Sequence, residues 1–294
     1  MFLLMGLAAT LPAHARVECG AIKSQLLQSN VRYCAYLPPS YDSPVKQRAG
    51  NSSRRYPVLY FLHGLGDNEQ SLMNSGELNL IENLKDQHKI GEFLIVTPRG
   101  GANFYINSRD GRVRYGDFFL REFIPFIERK YRIAMGKNTR GISGVSMGGY
   151  GALRMAFAHP ELFGSASAHS AALVASPRML NSALNSNSEL AQVLGQAFGK
   201  PVDMPFWNAN SPFVIARKNI LLIRNTKIYF DCGAEDDYGF EVGAQSLHEQ
   251  LNADKIKHEF HLYPGSHGLS FFLAHLGESL QFHSTAFNGP RPTP

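Results

Sequence analysis

The residues with the most chemistry to offer are a serine, a histidine and a run of acids. Ser146 lies in "GVSMGG", with Gly144 and Gly148 two positions to either side. It follows the apolar "GIS" and opens the helix-like "MGGYGALRMAFA". A serine between glycines at a strand-to-helix junction suits a sharp turn. Its oxygen projects above the strand end, and the glycines leave room where the two backbones nearly touch. The helix start also points unpaired N–H groups at any negative charge formed there. Such a serine becomes a nucleophile with a base and an orienting acid, expected in the chain order serine, acid, histidine. "FDCGAEDDYGFEV" offers Asp231 inside a predicted strand, and Glu235, Asp236 and Asp237 in the loop after it. Asp236, three residues beyond the turn glycine Gly233, is the expected acid, with Asp237 as the alternative. Of eleven histidines, His267 in "YPGSHGLSFF" falls in a glycine-flanked loop just after the last predicted strand. His248, His258, His261 and His275 fall on strand or helix positions. An oxyanion needs fixed donors. The spacing points to the amide of Met147 and to that of Leu65 in "HGLGDNEQ", with His63 ordering this loop. Asp67 and Gln70 are placed to cap a short helix beyond it. The chemistry is attack of Ser146 on an ester carbonyl, with His267 as base and Asp236 fixing its tautomer. It requires no metal or organic cofactor, and no Cys/His spacing suggests zinc.

These groups must be held by a scaffold, and the rest of the chain alternates strand and helix signals. "YPVLYFLH" (56–63), "FLIVTP" (93–98), "GISGV", "KIYFDCG" (227–233) and "HEFHLYPG" (258–265) are short apolar runs, and "GSASAHS" (164–170) is a more ambiguous one. Helices are predicted over 77–86, 114–131, 147–158, 241–252 and 269–283. That order implies a mostly parallel sheet with helices on both faces. Pro125, inside "REFIPFIERK", should kink or divide its helix. Before them, "ECGAIKSQLLQ" and "VRYCAYLPP" read as two strands around a turn near Ser29-Asn30, so that Cys19 and Cys34 could face each other as a disulfide, leaving Cys232 free. Residues 171–225 are rich in Asn and Ser and show helical pieces without a core strand. They read as an excursion that shapes a pocket, with Phe206 and Trp207, and Phe104 and Tyr105 from an earlier loop, as expected wall residues.

Composition narrows the partners. Charged residues are 18% and hydrophobic ones 44%, so the bulk can bury a core. The net charge of +5 is scattered, densest at 128–132, with no stripe suited to nucleic acid. The start, "MFLLMGLAATLPAHA", reads as a secretory signal of residues 1–15 that lacks the usual positive n-region. It is too short to span a bilayer, which needs about 20 residues. Export to a periplasmic or extracellular space is the expectation. Residues 16–284 then form one catalytic domain, and 285–294, with several Pro and Gly, a loose tail.

"LYFLHGLGDNE", "VTPRGGANFYINS", "ISGVSMGGYGALRMAFAHPELFGSASAHS" and "GSHGLSFF" together resemble the esterase D-type branch of the α/β hydrolases. That branch includes feruloyl and acetyl-xylan esterases, S-formylglutathione hydrolases and mycolyltransferases. The resemblance covers roughly residues 17–284. It implies an αβα sandwich of eight or more strands opened by an antiparallel hairpin, and it supports Ser146, His267, Asp236, Leu65 and Met147 in the roles above. The chain departs from many relatives at Arg99 and Gly116, where they carry acids, and at Leu269, Phe271 and Phe272, where secreted relatives carry tryptophans. The implied activity is hydrolysis of small to medium carboxylic esters, some carbohydrate-linked, with no cofactor. An acyltransferase using the same acyl-enzyme, an S-formylglutathione hydrolase if the chain is not exported, and a non-catalytic binding protein on this fold are the alternatives.

Overall fold

The computed structural model describes residues 15–42, 54–74, 76–185 and 188–288. Nearly all of the expected signal, and residues 289–294 of the expected tail, lie outside the described residues. Eight strands form one sheet in the order β1-β2-β4-β3-β5-β6-β7-β8. β1 (Arg16–Ser24) and β2 (Ser29–Leu37) form the antiparallel hairpin, and β2 joins β4 antiparallel. β3 (Val58–Leu62), β4 (Leu94–Pro98), β5 (Arg140–Gly144), β6 (Ser165–His169), β7 (Lys227–Gly233) and β8 (Glu259–Tyr263) run parallel. The hairpin turn occupies residues 25–28, a few positions before the expected Ser29-Asn30. The register pairs Cys19 with Cys34, and the two are joined as a disulfide.

Side chains alternate across the sheet with the two-residue period of a strand. Val58, Tyr60 and Leu62 of β3 enter one core with Ile142, Ala166 and Phe230, while Leu59 and Phe61 enter a second with Tyr36 and Ile95. Burial on both faces explains why β3 and β4 read as unbroken apolar runs.

The helices are α1 (Ser71–Asn74), α2 (Glu77–Asp86), α3 (Tyr115–Phe118), α4 (Ile124–Lys130), α5 (Met147–Ala158), α6 (Pro177–Ala183), α7 (Glu189–Phe198), α8 (Met204–Asn210), α9 (Pro212–Lys218), α10 (Ile220–Ile223), α11 (Phe240–Ala253) and α12 (Leu269–Asn288). α2 and α12 close the second core, while α5 and α11 close the first. Pro125 divides its segment as expected. A π-helical stretch, Phe119–Phe123, sits between α3 and α4, so the widened turn falls where the proline ring would otherwise meet the carbonyl four residues back. Among the described residues, five helices, α6 to α10, fill 171–225 without a strand. α12 continues through Asn288, into the segment expected as the tail. Among the described residues, no helix is long and apolar enough to cross a membrane.

Candidate active site

β3, β5, β7 and β8 all end on one side of the sheet, the side where open α/β sheets bind ligands. The turn after β5 carries Ser146 at φ 53°, ψ −117°, a conformation rarely taken by a non-glycine residue. The neighbouring glycines make it possible. A Cβ on Gly144 would come within 2.4 Å of the Gly148 backbone, and one on Gly148 within 2.0 Å of the Leu62 carbonyl oxygen. The turn is anchored by hydrogen bonds from Ser146 N–H to the His169 carbonyl (2.9 Å) and from the Ala172 and Tyr150 amides to the Ser146 carbonyl (3.0 Å each).

After β3, Gly64–Asp67 forms a turn closed by Asp67 N–H to the Gly64 carbonyl (3.3 Å), with Gly66 at φ 83°. His63 orders it. Its Nδ1 donates to the Gly64 carbonyl (2.7 Å) and its Nε2 accepts from the Gly100 amide (2.8 Å), which fixes one neutral tautomer. Burial lowers its pKa, consistent with an uncharged ring. Leu65 sits inside this turn and Met147 is the first residue of α5. Among the described residues, neither amide donates to an acceptor. The capping expected of Asp67 and Gln70 is displaced. α1 starts at Ser71, whose hydroxyl donates to Asp67 Oδ1 (3.2 Å).

The loops after β7 and β8 grip each other through three consecutive acids. Asp236 Oδ2 accepts from His267 Nδ1 at 2.8 Å. Its neighbours bind backbone instead. Glu235 accepts from Gly265 N–H (2.7 Å) and Asp237 from His267 N–H (3.0 Å). Asp236 Oδ1 accepts from the Tyr238 (3.0 Å) and Phe240 (3.4 Å) amides, and the Cys232 thiol donates to Oδ2 at 3.6 Å. Burial pushes the Asp236 pKa up, but the His267 hydrogen bond and charge and the two amides outweigh it, leaving it below its ordinary value. Burial, with the Asp236 charge, raises the Cys232 pKa, so this thiol stays protonated.

Ser146, Met147, Leu65 and His267 line one cavity of about 200 Å³, together with Gly64, Gly66, Asp67, Phe104, Val145, Ala172, Leu190, Tyr238, Phe240 and Phe272. Of the four expected wall residues, Phe104 lines it. Tyr105 lies beneath, fully buried, with its hydroxyl donating to the His63 carbonyl (3.0 Å). Phe206 packs on Phe198, which in turn packs on Phe104. Trp207 is 7% exposed and borders a separate void with Tyr150, Leu194 and Phe198. Residues 171–225 still contribute to the cavity, but through Ala172 and Leu190. An aromatic pair in a polar stretch pointed to a pocket wall in sequence, whereas Tyr150 of α5, Leu194 and Phe198 of α7 and Pro212 of α9 surround Trp207 with apolar contacts. Neither Arg99 nor Gly116 lines the cavity. Arg99 approaches the buried Glu69 (3.8 Å) beside Arg32, and Gly116 packs near Asn107. Of the residues after His267, Phe272 reaches the cavity, Phe271 is buried and Leu269 is exposed.

Among the described residues, two other serine–histidine sets occur, neither singled out from sequence. His169 binds Asp231 Oδ2 (2.8 Å) and Ser279 Oγ (2.7 Å), and His283 binds Ser165 and Ser167 (2.8 Å each). The histidines and serines of both sets are at most 1% exposed and line no part of the Ser146 cavity, so no ester carbonyl can reach those hydroxyls. They tie α12 to β6 and β7. Residue type and bonding alone do not separate such sets from a reactive one; exposure does. Tyr238, Phe240, Leu190, Val145 and Ala172 line the cavity without having been singled out from sequence, although Tyr238 directly follows the three acids. Among the described residues, no cluster of three or more His, Cys, Asp or Glu could hold a metal.

A family model described as putative esterase matches residues 24–283. Among curated proteins, the chain is 31% identical over 236 residues to Esterase MT1326 of Mycobacterium tuberculosis (strain CDC 1551 / Oshkosh), covering 74% of this chain and 49% of that protein. It is 35% identical over 133 residues to an endo-1,4-beta-xylanase/feruloyl esterase of Xylanibacter ruminicola, covering 44% and 18%. A solved ferulic acid esterase shares the fold at a TM-score of 0.76 and 24% identity, over 94% of this chain and 99% of that one. The chain spans about half the length of the first of these curated relatives, or less.

Proposed function

Because the chain belongs to the putative esterase family of α/β hydrolases, we propose that it hydrolyses small to medium carboxylic esters through an acyl-enzyme on Ser146. The observation that carries this reading is one cavity holding Ser146, a histidine bonded to a buried carboxylate, and two amides without acceptors. His267 takes the Ser146 proton as the oxygen attacks the carbonyl. Asp236, bound to Nδ1, keeps the proton-accepting nitrogen, Nε2, toward the serine and stabilises the imidazolium. The oxyanion is met by the Leu65 and Met147 amides, each worth about 3 kcal/mol in comparable sites. His267 then protonates the leaving alcohol, and water repeats the sequence on the acyl-enzyme.

A cavity of about 200 Å³ favours a compact acyl group. A carbohydrate-linked alcohol draws support from the feruloyl esterase activity named for the Xylanibacter relative. Export draws support from the Cys19–Cys34 disulfide, a bond that persists in oxidising compartments. The test is labelling and kinetics together. An organophosphonate should add to Ser146 by intact mass and peptide mapping, and Ser146→Ala should abolish hydrolysis of p-nitrophenyl acetate while leaving the circular dichroism spectrum unchanged. Full activity in the alanine variant, or adduct formation on another serine, would overturn the assignment.

A further inference from the structure

We propose that Tyr238 is the platform on which the leaving alcohol sits, and that it selects for alcohols carried on a sugar ring. This rests on the esterase reading and specifies one side of the same cavity. Tyr238 lines the cavity, yet it is 53% exposed, so it borders both the cavity and solvent. Its ring lies 4.8 Å from the His267 ring, edge-to-face, and stacks on Phe240 at 5.5 Å. Among the described residues, its hydroxyl has no hydrogen-bond partner.

Chemistry decides which half of the ester meets this ring. His267 must hand its proton to the leaving oxygen, so the alcohol lies against the imidazole. The ring that touches His267 and faces solvent therefore contacts the alcohol. Leu190, Phe104 and Ala172, contributed by other elements, are left to enclose the acyl group. A ring with an apolar body and a free hydroxyl suits a partner with both C–H faces and hydroxyls, which describes a sugar better than a simple alkyl alcohol. Only the Tyr238 side chain is involved. Its backbone N–H, which holds Asp236, is untouched by substitution.

The experiment compares three acetates that share an acyl group: methyl acetate, phenyl acetate and a monoacetylated methyl xyloside. Tyr238→Ala is expected to lower the ratio of kcat/KM for the xyloside to that for methyl acetate about three- to tenfold. Tyr238→Phe keeps the apolar contact and should fall between wild type and alanine for the xyloside, but match wild type for phenyl acetate. Deacylation occurs after the alcohol has left and is common to the three acetates, so any effect of the variants on it cancels from the xyloside-to-methyl ratio. By microscopic reversibility, added methyl xyloside should capture less of the acetyl-enzyme relative to water in Tyr238→Ala. An unchanged xyloside-to-methyl ratio, or unchanged capture of the acetyl-enzyme by methyl xyloside relative to water, would overturn the platform. Both results are interpretable while Ser146 still takes the phosphonate. Loss of that labelling in the wild-type protein would instead overturn the esterase reading itself.

Discussion

Replacing Asp236 by asparagine should cost about ten-thousand-fold in kcat, and the structure gives the reason atom by atom. Oδ1 of Asp236 accepts from two backbone amides, Tyr238 and Phe240, while Oδ2 faces His267 Nδ1 at 2.8 Å. An asparagine side chain has one acceptor end and one donor end. The two amides can be satisfied only by the oxygen, so they hold it where Oδ1 stood. The NH2 group is then forced toward His267. It must donate to Nδ1, which becomes the unprotonated nitrogen, and the proton moves to Nε2. A histidine with Nε2 protonated cannot accept the serine proton. In a serine hydrolase with this defect the loss is about 10⁴ in kcat, or about 5 kcal/mol at the transition state. Asp237 offers the internal control. It accepts from the His267 backbone amide (3.0 Å) and is exposed, and an asparagine oxygen can replace that acceptor. Asp237→Asn should stay within about threefold of wild type, the scale of one exposed hydrogen bond. The assay is p-nitrophenyl acetate hydrolysis at pH 7 to 8, with phosphonate titration of active sites and thermal unfolding to show that both variants are folded. A loss under tenfold in Asp236→Asn, or a larger loss in Asp237→Asn, would refute the tautomer reasoning.

Four further outcomes follow from the packing. Gly148→Ala should prevent folding of the elbow, costing more than about 4 kcal/mol, because its Cβ would lie 2.0 Å from the Leu62 carbonyl oxygen. Gly277→Ala, in α12 and at ordinary contact distance from Leu84, should add up to about 1 kcal/mol; urea unfolding distinguishes the two. Trp207→Ala should lose about 3–5 kcal/mol of stability, with kcat/KM changed alike for small and large esters. Selective loss toward large esters in a protein of unchanged melting temperature would place Trp207 in the substrate pocket after all. His283 is fully buried, and burial, with the nearby His169 charge, lowers its pKa to about 3. The unfolded chain therefore binds a proton that the folded one refuses between about pH 6.5 and that value, and stability should fall as the pH drops through this window. At pH 5 the contribution is about 2 kcal/mol; urea midpoints at pH 7 and pH 5 should show it, and His283→Gln should flatten the difference.

The amino-acid sequence by itself determined the parts of this protein whose demands are local. A serine at φ 53° between glycines is legible because the backbone approach tolerates no other neighbours, and β3 and β4 are legible because strands buried on both faces read as near-continuous apolar runs. Two adjacent strands made a Cys19–Cys34 pairing available, but the register that joins them, with the turn at 25–28, is set by the folded hairpin. Tertiary structure decided what depends on distance between remote segments. It sorted the three neighbouring acids, sending Asp236 to the imidazole and Glu235 and Asp237 to backbone amides 30 residues away in sequence. It buried a second Ser–His–Asp set, Ser279, His169 and Asp231, out of reach of any ester. It also moved Trp207 into the interior and brought Leu190 to the cavity in its place. Exposure and enclosure are properties of packed surfaces from several elements, and no single stretch of sequence carries them.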